Sequence, residues 1–238
     1  RMRALSRRAM LASLSCSAAA AAMGRTPYGG RLRLAVPWPI ASLEPASLSD
    51  GFSALFAGAC FEPLYALDGS ENPYPALADA LPSKQGNGCR VALRPGLKTA
   101  AGRPLAGVDV IATLSRARAR GAAGLLGELE NPSVDPKDPL AVLFAQSSPD
   151  AVARAFASPL LALVPRSFSP LAPDGCGAFK VELGRGRALF TRNPSAARGP
   201  AFLDAIEVTA VTDLAELLRG FESGATDLGW FGTGLYRA

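Results

Sequence analysis

The polypeptide of 238 residues contains no histidine. That removes the usual general base, the usual nitrogen ligand for metals and every catalytic triad that runs through an imidazole. Its four cysteines, Cys16, Cys60, Cys89 and Cys176, are isolated, without C-x-x-C spacing, so zinc and dithiol redox sites have no support. There is no G-x-x-x-x-G-K-S/T loop and no dinucleotide-binding glycine fingerprint. Gly184-Arg185-Gly186-Arg187 has the composition of a phosphate cradle but lacks the following helix, and it reads as a hairpin turn whose glycines supply positive φ. Carboxylate-pair chemistry stays open, because 20 acidic residues can meet in space, as does an activated cysteine. No catalytic residue, metal ligand or cofactor is assigned.

The formal charge of +5 suggests a nucleic-acid partner, but Arg1, Arg3, Arg7 and Arg8 supply four of those charges ahead of any acid. The rest of the chain is close to neutral and offers no basic body to track phosphates, so nucleic acid is not expected as a partner. Residues 1–22 read as an export signal, cationic first, then uncharged from Ala9 to Ala22, with small residues from Ala18 onward for cleavage. Ser6-Arg7-Arg8-Ala9-Met10-Leu11 resembles the twin-arginine export motif, and Cys16 is a candidate lipid-attachment site, although no leucine stands three positions upstream. The expected location is the periplasm. Cys60, Cys89 and Cys176 remain after cleavage, an odd number whose pairing the sequence leaves open, and burial as small apolar side chains is the simpler expectation.

A chain that is 49% hydrophobic and carries 24 glycines and 20 prolines is expected to fold as a mixed α/β body with many connections. Arg31–Val36 alternates and stops at Pro37, which predicts a strand entering a loop with Trp38, a candidate ligand contact because loops after strand ends favour ligands. A helix from Asp50 is expected to bury Phe52, Leu55, Phe56 and Ala59. Short elements follow: a strand at 64–67, a proline-started helix at 73–81, a strand at 89–94 and a helix at 107–120 with Val108, Ile111 and Leu114 inward. A strand at 139–145, a helix at 150–157 and a buried strand at 160–164 come next. Residues 178–183 and 187–192 form a hairpin, 203–211 a strand, and Asp213-Leu-Ala-Glu216 opens a helix with Leu214, Leu217, Leu218 and Phe221 facing the core. Asp227-Leu228 begins a last strand that leads into Trp230.

Seven stretches in fixed order resemble the family-5 extracellular solute-binding proteins, the peptide, oligopeptide and nickel receptors of bacterial ABC importers. Ser42-Leu43-Glu44-Pro45 is similar to that family's S-L-D-P, Phe61–Tyr65 with Asp68-Gly69 to its helix-to-strand passage, and Pro75–Ala78 to P-A-L-A. Leu93–Lys98, Gly102–Leu105 and Asp109-Val110 resemble L-R-x-G-V-K followed by D-G-x-P and D-V. Gly175–Phe179 resembles G-T-G-P-F, Thr191–Pro194 resembles x-R-N-P, and Leu203–Ile206 with Gly224–Leu228 resembles L-D-x-I and S-G-E-h-D-h. Cys176, Ala101 and Ala106-Gly107 depart from the pattern, the last weakening an expected helix cap.

The resemblance implies the first lobe of a two-lobe periplasmic-binding-protein fold of type II, cluster C-like, a mixed sheet with flanking helices. Residues 23–238 would be lobe I, with about 64–170 as an inserted subdomain, ending before lobe II. It implies a non-enzymatic receptor that captures peptides or similar small solutes and delivers them to ABC permease subunits; a secreted sensor built on the same lobe is the alternative. By motif position, its ligand contacts map to Ser49, Asp50 and Gly51 and to Trp230, Phe231 and Gly232. Asp50 has a second role as a helix cap, and Trp230 has a second reading as lobe core.

Overall fold

A computed structural model describes residues 28–40, 42–47, 51–126, 129 and 132–230. The export signal, Cys16, Ser49, Asp50, Phe231 and Gly232 lie outside the described residues. In chain order the elements are β1 (Arg31–Val36), α1 (Gly51–Cys60), β2 (Tyr65–Leu67), β3 (Pro73–Pro75), β4 (Ser83–Gln85), β5 (Gly88–Ala92) and α2 (Gly107–Ala119). Then come β6 (Pro132–Asp135), β7 (Asp138–Phe144), α3 (Pro149–Ala155), β8 (Phe179–Gly184), β9 (Arg187–Arg192), β10 (Ala205–Ala210), α4 (Leu214–Glu222) and β11 (Leu228–Gly229).

The main sheet has the order β11-β1-β10-β9-β8. β1 runs parallel to β10 and β11, while β9 is antiparallel to β10 and to β8. Alternation along β1, β8 and β9 sends Leu34, Val36, Val181, Ala188 and Phe190 to one face, where they pack with Val208 on Ala57, Cys60 and Phe61. The opposite face carries Arg31, Arg33 and Glu207, and α4 rests on it through Leu217 against Ala35 and Val211.

Between β1 and β8 the chain builds a second body around the sheet β4-β5-β7-β6 and the ribbon β2-β3, with its own core of Leu77, Val91, Leu93, Leu114, Val142, Phe144, Phe156 and neighbours. Residues 161–164 join the two cores: Leu161 and Leu163 belong to the second, Ala162 and Val164 to the first. The predicted strand there forms no ladder. Pro159–Leu161 is a 3-10 turn whose Leu160 N–H is capped by Ser158 Oγ at 3.3 Å, and the backbone beyond is held by Glu62 O and Thr113 Oγ1. Burial on both sides made the segment apolar without making it a strand.

The helix expected at 73–81 is also absent. Pro73–Pro75 pairs antiparallel with β2, and the N–H groups of Ala76, Leu77 and Ala78 converge on the Leu64 carbonyl. Tyr74 and Leu81 each precede a proline, which biases both toward extended backbone and outweighs the helix-start signal of Pro73. Three apolar stripes are displaced. In α1, Leu55 is exposed and Ala57 and Cys60 are buried; in α2, Val108 faces outward and Val110, Leu114 and Ala117 face inward. In α4 only Leu217 is buried, while Leu218 and Phe221 are 43% and 58% exposed. That helix sits on a narrow footing: a Cβ at Gly229 would lie 2.7 Å from Leu217 Cδ2.

Among the described residues Cys60, Cys89 and Cys176 are free and buried. Burial pushes the Cys60 and Cys176 thiols up to about 12, the reverse of what an activated nucleophile needs. No helix of the described residues is long and apolar enough to cross a membrane.

Candidate functional site: the carboxyl edge of the parallel strands

β1, β10 and β11 end on the same edge of the main sheet. β1 leads toward α1 on one face and β10 leads into α4 on the other, so adjacent strands part company there, the topological position at which open α/β sheets place ligands. Backbone bonds fix the edge: Trp230 N donates to Ala35 O at 2.9 Å, Val211 N to Val36 O at 2.8 Å, and Ala210 N to Gly186 O at 2.7 Å. The β8–β9 turn, with Gly186 at φ 66°, is thereby drawn to the same edge. α1 points its first residue there too. Its last residue, Cys60, accepts a bond from Gly177 just before β8 begins, and Phe56 stacks on Phe190 with centroids 5.7 Å apart.

The edge unites two residues far apart in sequence. Trp38, half-buried after β1, meets Trp230, 39% exposed after β11, edge to face with centroids 6.3 Å apart. Trp230 therefore belongs to neither core. Gly51, the first residue of α1, heads toward the same edge, and the remaining anticipated contacts, Ser49, Asp50, Phe231 and Gly232, lie outside the described residues. What motif reasoning missed is the hairpin turn and the loop opposite it: Pro39, Ile40, Leu171, Leu183 and Gly184–Gly186 line an open cavity of about 500 Å³. The alternation around Gly184 and Gly186 gives the turn, but only the pairing of β9 with β10 says which edge it joins.

Electrostatics hold the edge in register. Arg33 grips Asp227, with Nη2 donating to Oδ1 at 2.7 Å, Nε to Oδ2 at 3.0 Å and its own backbone N–H to Oδ2 at 2.8 Å. The guanidinium, with that N–H, holds the Asp227 carboxyl below the usual carboxylate range. At the start of α4, Asp213 accepts the Glu216 N–H at 2.7 Å, and Glu216 accepts the Thr212 N–H at 2.7 Å, which lowers the Glu216 pKa. Both carboxylates serve as caps. Among the described residues no three His, Cys, Asp or Glu side chains are grouped to hold a metal ion.

The motif residues that carry the resemblance sit elsewhere and act as clasps. Buried Glu44 accepts Arg116 Nε at 2.9 Å and Nη2 at 2.5 Å, joining the loop after β1 to α2. Asp109 accepts the N–H of Ala106 at 2.9 Å, the reciprocal half of a capping box whose other half Ala106 has no side-chain oxygen to make, and the N–H of Arg166 at 2.8 Å. Asn193 donates to Gly177 O at 2.9 Å and accepts from Ser195 N at 3.0 Å.

No protein-family model and no curated protein sequence matches the chain. Solved structures do. MoaA of A. tumefaciens R10, solved with mannopinic acid, superposes with TM-score 0.72 at 20% identity over 85% of this chain and 45% of that one. The oligopeptide-binding protein AppA of Bacillus subtilis, solved with a nonapeptide, gives 0.68 at 19% over 85% and 44%, and a clavulanic acid biosynthesis oligopeptide-binding protein gives 0.68 at 23% over 88% and 45%. The fold is that of a solute-binding-protein lobe. The chain spans under half the length of the solved structures it matches.

Proposed function

We propose that the chain is lobe I of an exported receptor that captures peptides or similar small solutes for an ABC-type importer and hands them to a membrane permease. In this reading residues 1–22 direct export to the periplasm, about 64–170 form an inserted subdomain, and the chain carries out no catalysis. The observation that carries it is the meeting of Trp38 and Trp230, from opposite ends of the chain, at the carboxyl edge of three parallel strands. Indole faces there would flank apolar groups of a solute, while the adjacent backbone would hydrogen-bond a peptide main chain whatever its side chains. Ser49, Asp50, Gly51, Phe231 and Gly232 complete the proposed contact set.

A receptor of this kind gains affinity when a second lobe closes over the solute, so one lobe alone binds weakly. The test is an amide and indole NMR titration of the chain with di- to tetrapeptides. The expected result is fast-exchange shifts at millimolar peptide, confined to Trp38, Trp230 and their loop neighbours. Shifts spread over the sheet's other face, or none at saturating peptide, overturn the reading.

A further inference from the structure

We infer that the β8–β9 turn is a specificity element, in which Arg185 engages a carboxylate on a ligand whose aliphatic group fills the neighbouring cavity; the inference rests on the proposed function and names the solute class. The cavity of about 500 Å³ is lined by Pro39, Ile40, Leu171 and Leu183 on its apolar side and by Gly184, Arg185 and Gly186 on the other. Leu171 is 72% exposed, and with Pro39, Ile40 and Leu183 it makes one wall of the cavity apolar. Arg185 is the one ionisable residue of that lining, and it is exposed at the tip of the turn.

Two features give the guanidinium its opening. The glycines on either side carry no side chain to shield it, and Gly186 sits at φ 66°, where a larger residue would be strained. Asp213 and Glu216, after β10, are already engaged at the α4 cap, Asp227 is engaged by Arg33, and Glu182 on β8 alternates with Val181 and Leu183 and so leaves the sheet on the face opposite the cavity wall. No described carboxylate is paired with Arg185, so its donors are available to a ligand. A planar fork of N–H groups suits a carboxylate in a two-pronged contact, and the apolar wall beside it suits the side chain that the carboxylate terminates. A short peptide ending in leucine or valine has both parts; its C-terminal amide lacks the carboxylate.

The chain's two tryptophans, Trp38 and Trp230, both lie on this edge, so intrinsic fluorescence reads it without a label. The probes are N-acetyl-alanyl-leucine and its C-terminal amide, titrated into the wild-type chain, Arg185→Glu and Arg185→Lys, with a thermal melt of each variant. The expected result is that the free acid binds wild type about fivefold or more tightly than the amide does, that Arg185→Glu removes this preference, and that Arg185→Lys keeps part of it. Equal binding of acid and amide to wild type and to Arg185→Glu overturns the carboxylate assignment and leaves the edge as the ligand site. No response to either peptide overturns the edge as a peptide site, and this inference with it. Loss of the free-acid response in Arg185→Glu with a lowered melting temperature is decided by Arg185→Lys: retention of the acid preference supports the assignment, its loss overturns it.

Discussion

The two edges of the main sheet are built to opposite rules. Where α1 ends and β8 begins, backbone is pressed on backbone: a Cβ at Gly175 would lie 2.1 Å from Cys60 O, and one at Gly177 would lie 2.5 Å from Cys60 C. Asn193 seals that junction from within. At the carboxyl edge, tryptophan, leucine and arginine stand partly or wholly in solvent around an open cavity. The comparison teaches where information sits. The short motifs that betray the fold mark the tight edge and its clasps, where close packing leaves little room for a side chain; the edge that would touch solute carries few of them.

Placing bulk at the tight edge is expected to have the largest effect. Gly175→Ala must displace both the Cys60 carbonyl and the Phe61 ring, whose Cδ1 is 2.4 Å from the added carbon, and neither is a flexible side-chain end. A loss of about 3 kcal/mol in urea unfolding is expected. The matching change at the open edge, Gly184→Ala, meets its nearest atom at 3.7 Å and leaves stability within about 0.5 kcal/mol of wild type. Similar losses from both would show that the edges do not differ as described.

Next in size is the clasp of Glu44. Glu44→Ala strands Arg116, whose guanidinium otherwise lies over the Phe168 ring at 4.7 Å and bonds a carboxylate that is only 5% exposed. Because Arg116 itself keeps 27% of its side-chain surface, the expected cost is about 2 kcal/mol, below that of a fully buried pair. Replacing both residues, Glu44→Leu with Arg116→Met, is expected to recover much of it, which a double-mutant cycle measures.

How far the sequence discloses each region follows from the same contrast. β1, the β8–β9 hairpin and the start of α4 are legible because their signals are local: alternation, glycines at a turn, and Asp213 three residues before Glu216. The pairing of Pro73–Pro75 and the two-sided burial of 161–164 are not, since both depend on what lies across the gap. Leu218 and Phe221 follow a core-facing period yet stay exposed, because periodicity reports a stripe and not the width of the surface beneath it. At the open edge, Trp38 is legible as a residue after a strand end; its meeting with Trp230 depends on β11 pairing with β1 across most of the chain.

At the open edge itself, Trp38→Ala and Trp230→Ala are each expected to cost about 2 kcal/mol, the edge-to-face pair plus the part of each indole that is out of solvent, and less than Gly175→Ala. Both are expected to erase the peptide-induced NMR shifts while the melts fall less than that of Gly175→Ala. A tryptophan variant that instead unfolds the sheet as Gly175→Ala does would move that residue from the ligand edge into the scaffold.

The smallest expected effect comes from acid. Asp227 is held below the ordinary carboxylate range by Arg33, so its contribution is in place above the pKa of an unfolded aspartate and is lost as pH falls through the lower, folded value. Since both partners are well exposed, at 42% and 37%, the global fold should scarcely respond. The local consequence is larger than the global one: β11 is two residues long and hangs on β1 by this contact and a few backbone bonds, so protonation should loosen Trp230 from Trp38 before any core melts. Tryptophan emission is therefore expected to change at a pH below the usual carboxylate range while far-ultraviolet dichroism is still native. Asp227→Asn should show the loosened emission already at neutral pH and no further acid step. If emission and dichroism fall together in both proteins, the carboxyl edge is as firmly clasped as the opposite one, and the difference between the two edges lies in exposure alone.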